Sequence, residues 1–403
     1  MKVGSMAIRI VKVFARVRLK DFLAPFVFLL LLIPSFFFRV VNKINHRKLW
    51  LVAEDGDARD NGYHFYKYVR EEHSEDFCFY AVKKNSAGYK KISMFGNLVD
   101  YGSLKHWLYY MSADLNISSQ KSGNPCPIFW YIMHVVLGLY KNRVFLQHGI
   151  TKDDSKWLYY NKTKFKYFIC GAKKEYDFIK DRFGYLEDSL LFTGFPRWDA
   201  LKRTNIGQKD KTILIMPTWR NWLGGKRNKF FEIKNFKNTE FFKCWNGLLD
   251  DDDFVNFVEK NNLKVYFYPH INMQMFLENF KPGSKNIKII SSDEDVQKYL
   301  NECDLMITDY SSVAFDFAYL SKPILYYQFD LKEYRERQYS EGYFDYKEDG
   351  FGDVLFIKEE MLAKIKHSFK SGFKLENKYA KRVEEFFLLR DKSNSKRIYE
   401  VLK

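Results

Sequence analysis

Four places in this chain put reactive side chains just past an apolar run. His148 and Gly149 close "RVFLQHG". A neutral imidazole can take a proton from an attacking hydroxyl near neutral pH. Gly149 allows close approach of a substrate or an unusual backbone angle. Capping or packing is the other role open to such a histidine. His270 closes "LKVYFYPH" and can donate to a phosphate oxygen or a leaving group, or serve structurally. Arg220 closes "LIMPTWR". Its forked guanidinium suits a diphosphate, and a solvated surface arginine is the alternative. In "CDLMITDYSSVAFDFAYLSKPILYY" a buried strand ends at Thr308 and turns through Asp309 and Tyr310. Ser311 or Ser312 can cap the helix that follows. A helix start presents free N–H groups and a positive dipole end, which suit phosphate. A plain serine cap would explain this segment alone; its coincidence with the other three favours phosphate chemistry.

The elements that must position these groups alternate along the chain. "KLWLVAED", "FCFYAVK", "ADLNISS", "RVFLQHG", "FKYFICG" and "SLLFTG" read as strands, separated by amphipathic stretches such as Asn61–Glu72 and Ala172–Phe183. After the turn "TGFPRWDAL" a second series begins: "KTILIMPTW", "LKVYFYPH", "IKIIS", "CDLMITD" and "KPILYYQF". Its helices are expected at Asp253–Asn261, Asp293–Asn301 and Ser311–Leu320. Strands alternating with helices predict α/β architecture with parallel sheets and crossover helices. The polar stretch Lys202–Asp210 reads as a linker. The expected units are therefore an anchor at residues 1–48, an α/β domain at 49–201 and a second at 211–403, with a helical tail after Val354. Ligands of open α/β sheets sit at the carboxyl ends of the strands, and all four candidate places stand there.

A chain of 403 residues with net charge +16 expects an acidic partner. The five cysteines are scattered without a CxxC and read as reduced core thiols of a cytoplasmic protein. The N-terminus carries Lys2, Arg9, Lys12, Arg16, Arg18 and Lys20 before "FLAPFVFLLLLIPSFFF", and Arg39, Lys43, Arg47 and Lys48 after it. The apolar run is short for a perpendicular span, which takes about 20 residues. Pro25 and Pro34 would kink a helix there. With both flanks basic, a kinked or re-entrant anchor on the cytoplasmic face, drawn to anionic lipid, is the preferred reading over one transmembrane span. No Walker A loop, GxGxxG, HExxH or paired His/Cys set is present, so neither a metal nor a bound cofactor is expected. Asp250–Asp253 reads as charge at a helix start. No nucleic-acid module is found.

Together, "LQHGITKDD", "TGFPRWDAL", "IMPTWR", "FYPH" and "ITDYSSVAFDFAYLSKPILYYQFD" resemble the CDP-glycerol glycerophosphotransferases, the teichoic-acid primase and polymerase relatives that use CDP-glycerol or CDP-ribitol. The likeness runs from about residue 49 to residue 350, and the order of five segments makes it specific. It implies two facing Rossmann-like domains of the type B glycosyltransferase kind. It implies transfer of a polyol phosphate from a CDP-activated donor to an acceptor hydroxyl, releasing CMP, without a catalytic metal. His148 is similar to the family's first histidine, the candidate base, and His270 to its second, assigned to the donor diphosphate. Thr308, Asp309, Ser311 and Ser312 match its phosphate-binding segment, with Arg220 a looser match. Glu54–Arg70 resembles the N-terminal portion of relatives from surface-polysaccharide clusters, which would put Asp60, Asn61 and His64 on the acceptor side. The acceptor would be a polyol-phosphate or glycan chain, lipid-linked, at the membrane. Two rivals remain: a glycosyltransferase of the same fold using a UDP- or GDP-sugar, and a silent membrane-anchored scaffold for polysaccharide assembly.

Overall fold

In a computed structural model of the chain, residues 19–140, 142–204, 210–223 and 236–403 are described. The basic residues Lys2–Arg18 and most of the expected linker lie outside them. The first sheet comprises β1 (Trp50–Ala53), β2 (Cys78–Val82), β3 (Leu98–Asp100), β4 (Leu115–Ser118), β5 (Arg143–Phe145), β6 (Tyr167–Cys170) and β7 (Leu190–Phe192), in the order β3-β2-β1-β4-β5-β6-β7. The second comprises β8 (Thr212–Met216), β9 (Lys264–Phe267), β10 (Ile287–Ile289), β11 (Leu305–Thr308), β12 (Ile324–Tyr327) and β13 (Gly352–Leu355), in the order β10-β9-β8-β11-β12-β13. Every pairing is parallel. The central strands β1, β4, β8, β11 and β12 are buried throughout. Helices cover both faces of such strands, which is why they read as unbroken apolar runs.

Both sheets reverse direction of growth at one place, between β1 and β4 and between β8 and β11. The crevice of an open α/β sheet opens at that reversal. The loops after β1, β4 and β11 therefore carry the groups most exposed to a ligand. The acidic run acts as expected: Asp251 caps the helix Asp252–Lys260, its Oδ1 accepting from Asp253 N and Phe254 N.

The helical tail does both things a tail could do. Lys358–Lys370 packs on the second unit, and Asn394–Leu402 returns to lie on Asn61–Glu72 of the first. Gly194, at φ +77°, makes that return possible: a Cβ there would stand 2.0 Å from Asn394 Oδ1. Asp199 then accepts from Asn394 N (3.0 Å) and Ser395 N (2.8 Å), fixing the start of the last helix.

The N-terminal apolar run is one continuous helix, Leu19–Ile44, through Pro25 and Pro34. It does not turn back, so the re-entrant form is not what the structure has. At 1.5 Å per residue it is about 39 Å long. One face packs on the first unit. Ala24, Ser35 and Asn42 are buried, and Val27, Phe28, Leu31 and Phe38 press against a cluster that includes Trp107, Tyr110 and Trp130. Ser112 Oγ donates to the Ser35 carbonyl at 3.1 Å. The opposite face holds Phe22, Phe26, Leu29, Leu30, Ile33 and Phe37, all exposed. The five cysteines are in no disulfide, and all but Cys244 are buried.

Candidate active site

A cavity of about 530 Å³ opens between the carboxyl ends of the two sheets. The first unit lines it with Asp60, Gln120, His148 and Gly149, the second with His270, Ser311 and Ser312.

His148 reaches it through a braced turn. Gln147 takes a left-handed φ of +62°, which swings the next side chain off the line of β5. Such a conformation costs a non-glycine residue about 1–3 kcal/mol and persists only where its surroundings hold it. Here Gln147 is buried, and its Nε2 donates to Ile169 O (2.7 Å) and Glu175 Oε1 (2.9 Å). Its Oε1 accepts from Thr151 Oγ1 at 2.6 Å. Glu175 also accepts from Thr151 N and Gly171 N, and burial pushes its carboxyl up to about 7. From the other side Asn61 Nδ2 donates to Leu146 O (3.2 Å) and Gln147 O (2.8 Å).

The His148 ring is 65% exposed to the cleft and its Nδ1 is bonded to Asp60 Oδ2. The Gln120 amide lies 3.0 Å from the same nitrogen. Burial raises the Asp60 carboxyl, but His148 and Arg197 outweigh it and hold it down at about 2. An ionised carboxylate only accepts, so Nδ1 carries the proton and Nε2 keeps a lone pair for the cleft. The Asp60 charge raises the His148 pKa against the opposing effect of burial. Asp60 is itself placed by Glu54, whose buried carboxylate accepts from Arg59 N (2.8 Å), Asp60 N (3.0 Å), Tyr63 N (2.9 Å) and Ser119 Oγ (3.0 Å).

Arg197 ties this pair to the second unit. Its Nη1 donates to Asp60 Oδ1 (2.7 Å) and the His148 carbonyl (2.9 Å). Its Nε and Nη2 donate to both oxygens of Asp316, at 3.1 and 2.8 Å, from the helix Val313–Tyr319. Trp198 Nε1 donates to the same carboxylate. Gly149 permits this closeness: a Cβ there would stand 2.8 Å from Ser312 Oγ.

On the facing wall, His270 Nδ1 accepts from Asn272 N at 3.2 Å. The ring proton is then on Nε2. Burial, and then the charge of His148, push the His270 pKa down to about 4, so the ring is a neutral donor at pH 7. Trp219 lies against it, rings 6.1 Å apart and 26° from parallel. Ser311 and Ser312 line the same cavity.

Five residues expected at the substrate are placed elsewhere. Arg220 is 0% exposed beneath the cavity. Its guanidinium pairs with Asp309 (2.8 Å) and Asp330 (2.7 and 3.0 Å) and is packed by Tyr310, Tyr334 and Phe241. With both carboxylates already on it, this arginine binds the fold and not a diphosphate. Asp309 Oδ1 accepts from Thr218 N (2.8 Å) and Tyr310 N (2.6 Å), and Thr308 Oγ1 donates to Met216 O (2.6 Å). Both are buried turn-makers. Asn61 is buried and holds the His148 turn instead of lining the cavity. His64 is buried too, pushed down to about 3 by burial. Arg197 and Asp316 were inside segments already singled out, but a pair 119 residues apart leaves no local signal. Among the described residues, no group of three or more His, Cys, Asp or Glu side chains is placed to hold a metal ion.

Residues 35–403 match the family described as CDP-Glycerol:Poly(glycerophosphate) glycerophosphotransferase. The minor teichoic acid biosynthesis protein GgaB of Bacillus subtilis is 34% identical over 366 residues, 89% of this chain and 40% of that protein. A teichoic acid glycerol-phosphate transferase of Staphylococcus aureus is 24% identical, over 55% of this chain and 54% of that one. The chain thus spans about half or less of these relatives' lengths. The wall teichoic acid polymerase TagF has the same fold, with a TM-score of 0.63 at 16% identity over 92% of this chain and 96% of that one. A Staphylococcus aureus MnaA–UDP structure follows at a TM-score of 0.54 and 13% identity, over 89% of this chain and 96% of that one. These two likenesses concern the fold, two parallel α/β sheets of the type B glycosyltransferase kind.

Proposed function

The chain belongs to the CDP-glycerol:poly(glycerophosphate) glycerophosphotransferase family, and from that premise we propose that it transfers a polyol phosphate from CDP-glycerol or CDP-ribitol to an acceptor hydroxyl in teichoic-acid synthesis. The observation that carries this reading is the opposition of two differently tuned imidazoles: His148, made more basic by Asp60, and His270, kept neutral with its proton on Nε2.

The acceptor hydroxyl sits between His148 Nε2 and the donor's β-phosphorus. Its oxygen attacks that phosphorus while its proton passes to His148. The bond from the β-phosphorus to the bridging oxygen breaks, and CMP departs with that oxygen. The acceptor gains one polyol phosphate through a new phosphodiester. His270 Nε2–H and the hydroxyls of Ser311 and Ser312 donate to the diphosphate and to the charge that grows on CMP. Phosphoryl transfer needs chiefly such positioning and charge neutralisation. The first α/β unit, residues 49–201, takes the acceptor side and the second, 211–403, the donor.

The exposed face of Leu19–Ile44 beds in the lipid leaflet, and Arg39, Lys43 and Arg47 favour an anionic surface on the cytoplasmic side. This holds the cleft over a lipid-linked acceptor.

The test is CMP release by the membrane-bound chain with CDP-glycerol, CDP-ribitol and UDP-sugars in parallel, with His148→Ala as control. CMP from a CDP-polyol alone, lost in the variant, is the expected result. Turnover of a UDP-sugar moves the chain to the glycosyltransferases. Donor binding without turnover of any donor leaves the scaffold.

A further inference from the structure

One side of the cleft is lined by Lys121, Ser122 and Trp157. The loop after β4 begins it. Gln120 stands 3.0 Å from the His148 ring, and Lys121 follows it in the same loop. Lys121 Nζ donates to the Trp157 carbonyl at 3.0 Å and lies 5.9 Å from the Trp157 ring and 5.8 Å from the Tyr131 ring. Lys121, Ser122 and Trp157 line the same cavity as His148. Trp157 is half exposed there.

Tyr131 ends the helix Pro127–Tyr131, which packs on Leu19–Ile44 through Phe28, whose ring is 5.4 Å from Phe129 and 6.2 Å from Trp130. Just beyond it Ile132, Val136, Leu137 and Leu139 are exposed. These exposed side chains lie in and just after the turn Ile132–Val136, which follows directly on Tyr131, whose ring lies beside Lys121. Lys121 has two positive neighbours at the rim, Arg143 and Lys162. Burial, then Arg143 and Lys162, press the Lys121 pKa down to about 8, and it remains mostly a cation at pH 7. An anion beside Lys121 would also feel the positive charge of Arg143 and Lys162.

We propose that Lys121, with the Trp157 and Tyr131 rings, is the subsite that holds the first phosphate inward from the reacting hydroxyl of a phosphodiester amphiphile whose tail stays in the bilayer. The amphiphile's free hydroxyl end reaches His148 past Gln120, and its apolar end leaves over Ile132 and Val136. This inference rests on the transferase reading above, because it takes His148 as the place where the acceptor ends.

The test uses the full chain in mixed micelles with a long-chain alkyl phosphodiester of glycerol phosphate, and free glycerol phosphate as the arm without a tail. Lys121→Gln should raise the acceptor KM by about tenfold or more, the loss of one charge-assisted contact. The donor KM should not move, and Lys121→Arg should recover most of the loss. Trp157→Ala, at an exposed ring, should act in the same direction. Titration of the alkyl diester should show the same loss of binding without any turnover. Unchanged acceptor KM and binding in Lys121→Gln overturn the subsite, as does a shift in donor KM instead. Free glycerol phosphate bound as tightly as the diester overturns its membrane-facing character. Lys121-dependent binding of the diester with no CMP released from any CDP-polyol upholds the subsite and sinks the transferase reading.

Discussion

Arg197 and Asp316 join the two α/β units at the cleft through two parallel contacts, Nη2 to Oδ2 at 2.8 Å and Nε to Oδ1 at 3.1 Å. The same guanidinium holds Asp60 and the His148 carbonyl. His148, the proposed base of the first unit, is thus positioned through a carboxylate of the second. Removing one partner of a buried pair strands the other, at a cost of about 3–5 kcal/mol. Arg197→Ala would strand Asp316 and Asp60 together. It should lower the midpoint of denaturant unfolding and reduce kcat. Arg197→Lys, which keeps the charge but not the fork, should recover stability better than kcat. Equal recovery of both would mean that the pair only stabilises.

The Asp60–His148 pair sets a pH dependence whose sign is fixed by which group is charged. Asp60 raises the His148 pKa, so the acidic limb of kcat/KM should lie above an ordinary histidine's value of about 6.5. Activity is lost as pH falls through that limb, because the imidazolium cannot accept a proton. Asp60→Asn should move the limb to lower pH and lower kcat. His148→Ala should lower kcat by about 10²–10⁴ and remove the limb. His270, pushed down to about 4, should add no limb near neutrality. A limb that stays in place in Asp60→Asn would detach Asp60 from the base.

Gly149→Ala tests how closely the units must approach. The new Cβ would stand 2.8 Å from Ser312 Oγ and 3.3 Å from Ser312 Cβ. Overpacking of this kind costs about 1–3 kcal/mol. The variant should lower the midpoint of denaturant unfolding, and Ser312→Ala in the same chain should restore part of it by removing the hydroxyl. A double variant no better than the single one would place the clash elsewhere.

The sheets were legible because parallel strands are buried on both faces. "ILIM", "VYF" and "LMIT" announce themselves without any period. The edge strands β3 and β13 were not. β3 has three residues ending in Asp100, and β13 opens on Gly352 and Asp353, so neither has an apolar run to read. Of the strand-end residues, those that line the cavity and those that do not look alike in one dimension. Arg220 and His270 both follow an apolar strand. Only the fold brings Asp330, 110 residues away, onto the arginine and leaves the histidine facing the cleft. Asn61 marks the same limit: its place beside Asp60 could be read, but not that its amide supports the backbone behind His148.

The last prediction concerns the long N-terminal helix and tests whether its outward face is what holds the chain to lipid. A spanning helix meets lipid or partner all round its circumference, so a charge on any face near its centre is costly. Leu19–Ile44 instead has one face occupied by protein, with Ala24, Ser35 and Asn42 buried against the first unit. Leu30 and Ile33 point away, at 66% and 67% exposure. Leu30→Lys with Ile33→Lys should therefore leave the unfolding midpoint unchanged while abolishing co-sedimentation with anionic vesicles. Phe28→Ala, on the packed face against Phe129 and Trp130, should do the reverse. It should destabilise the first unit by about 3 kcal/mol if the cavity does not refill, and leave vesicle binding largely intact. Should the two lysines leave the chain on the membrane, the outward face is not what holds it there, and the lipid contact must lie at another surface.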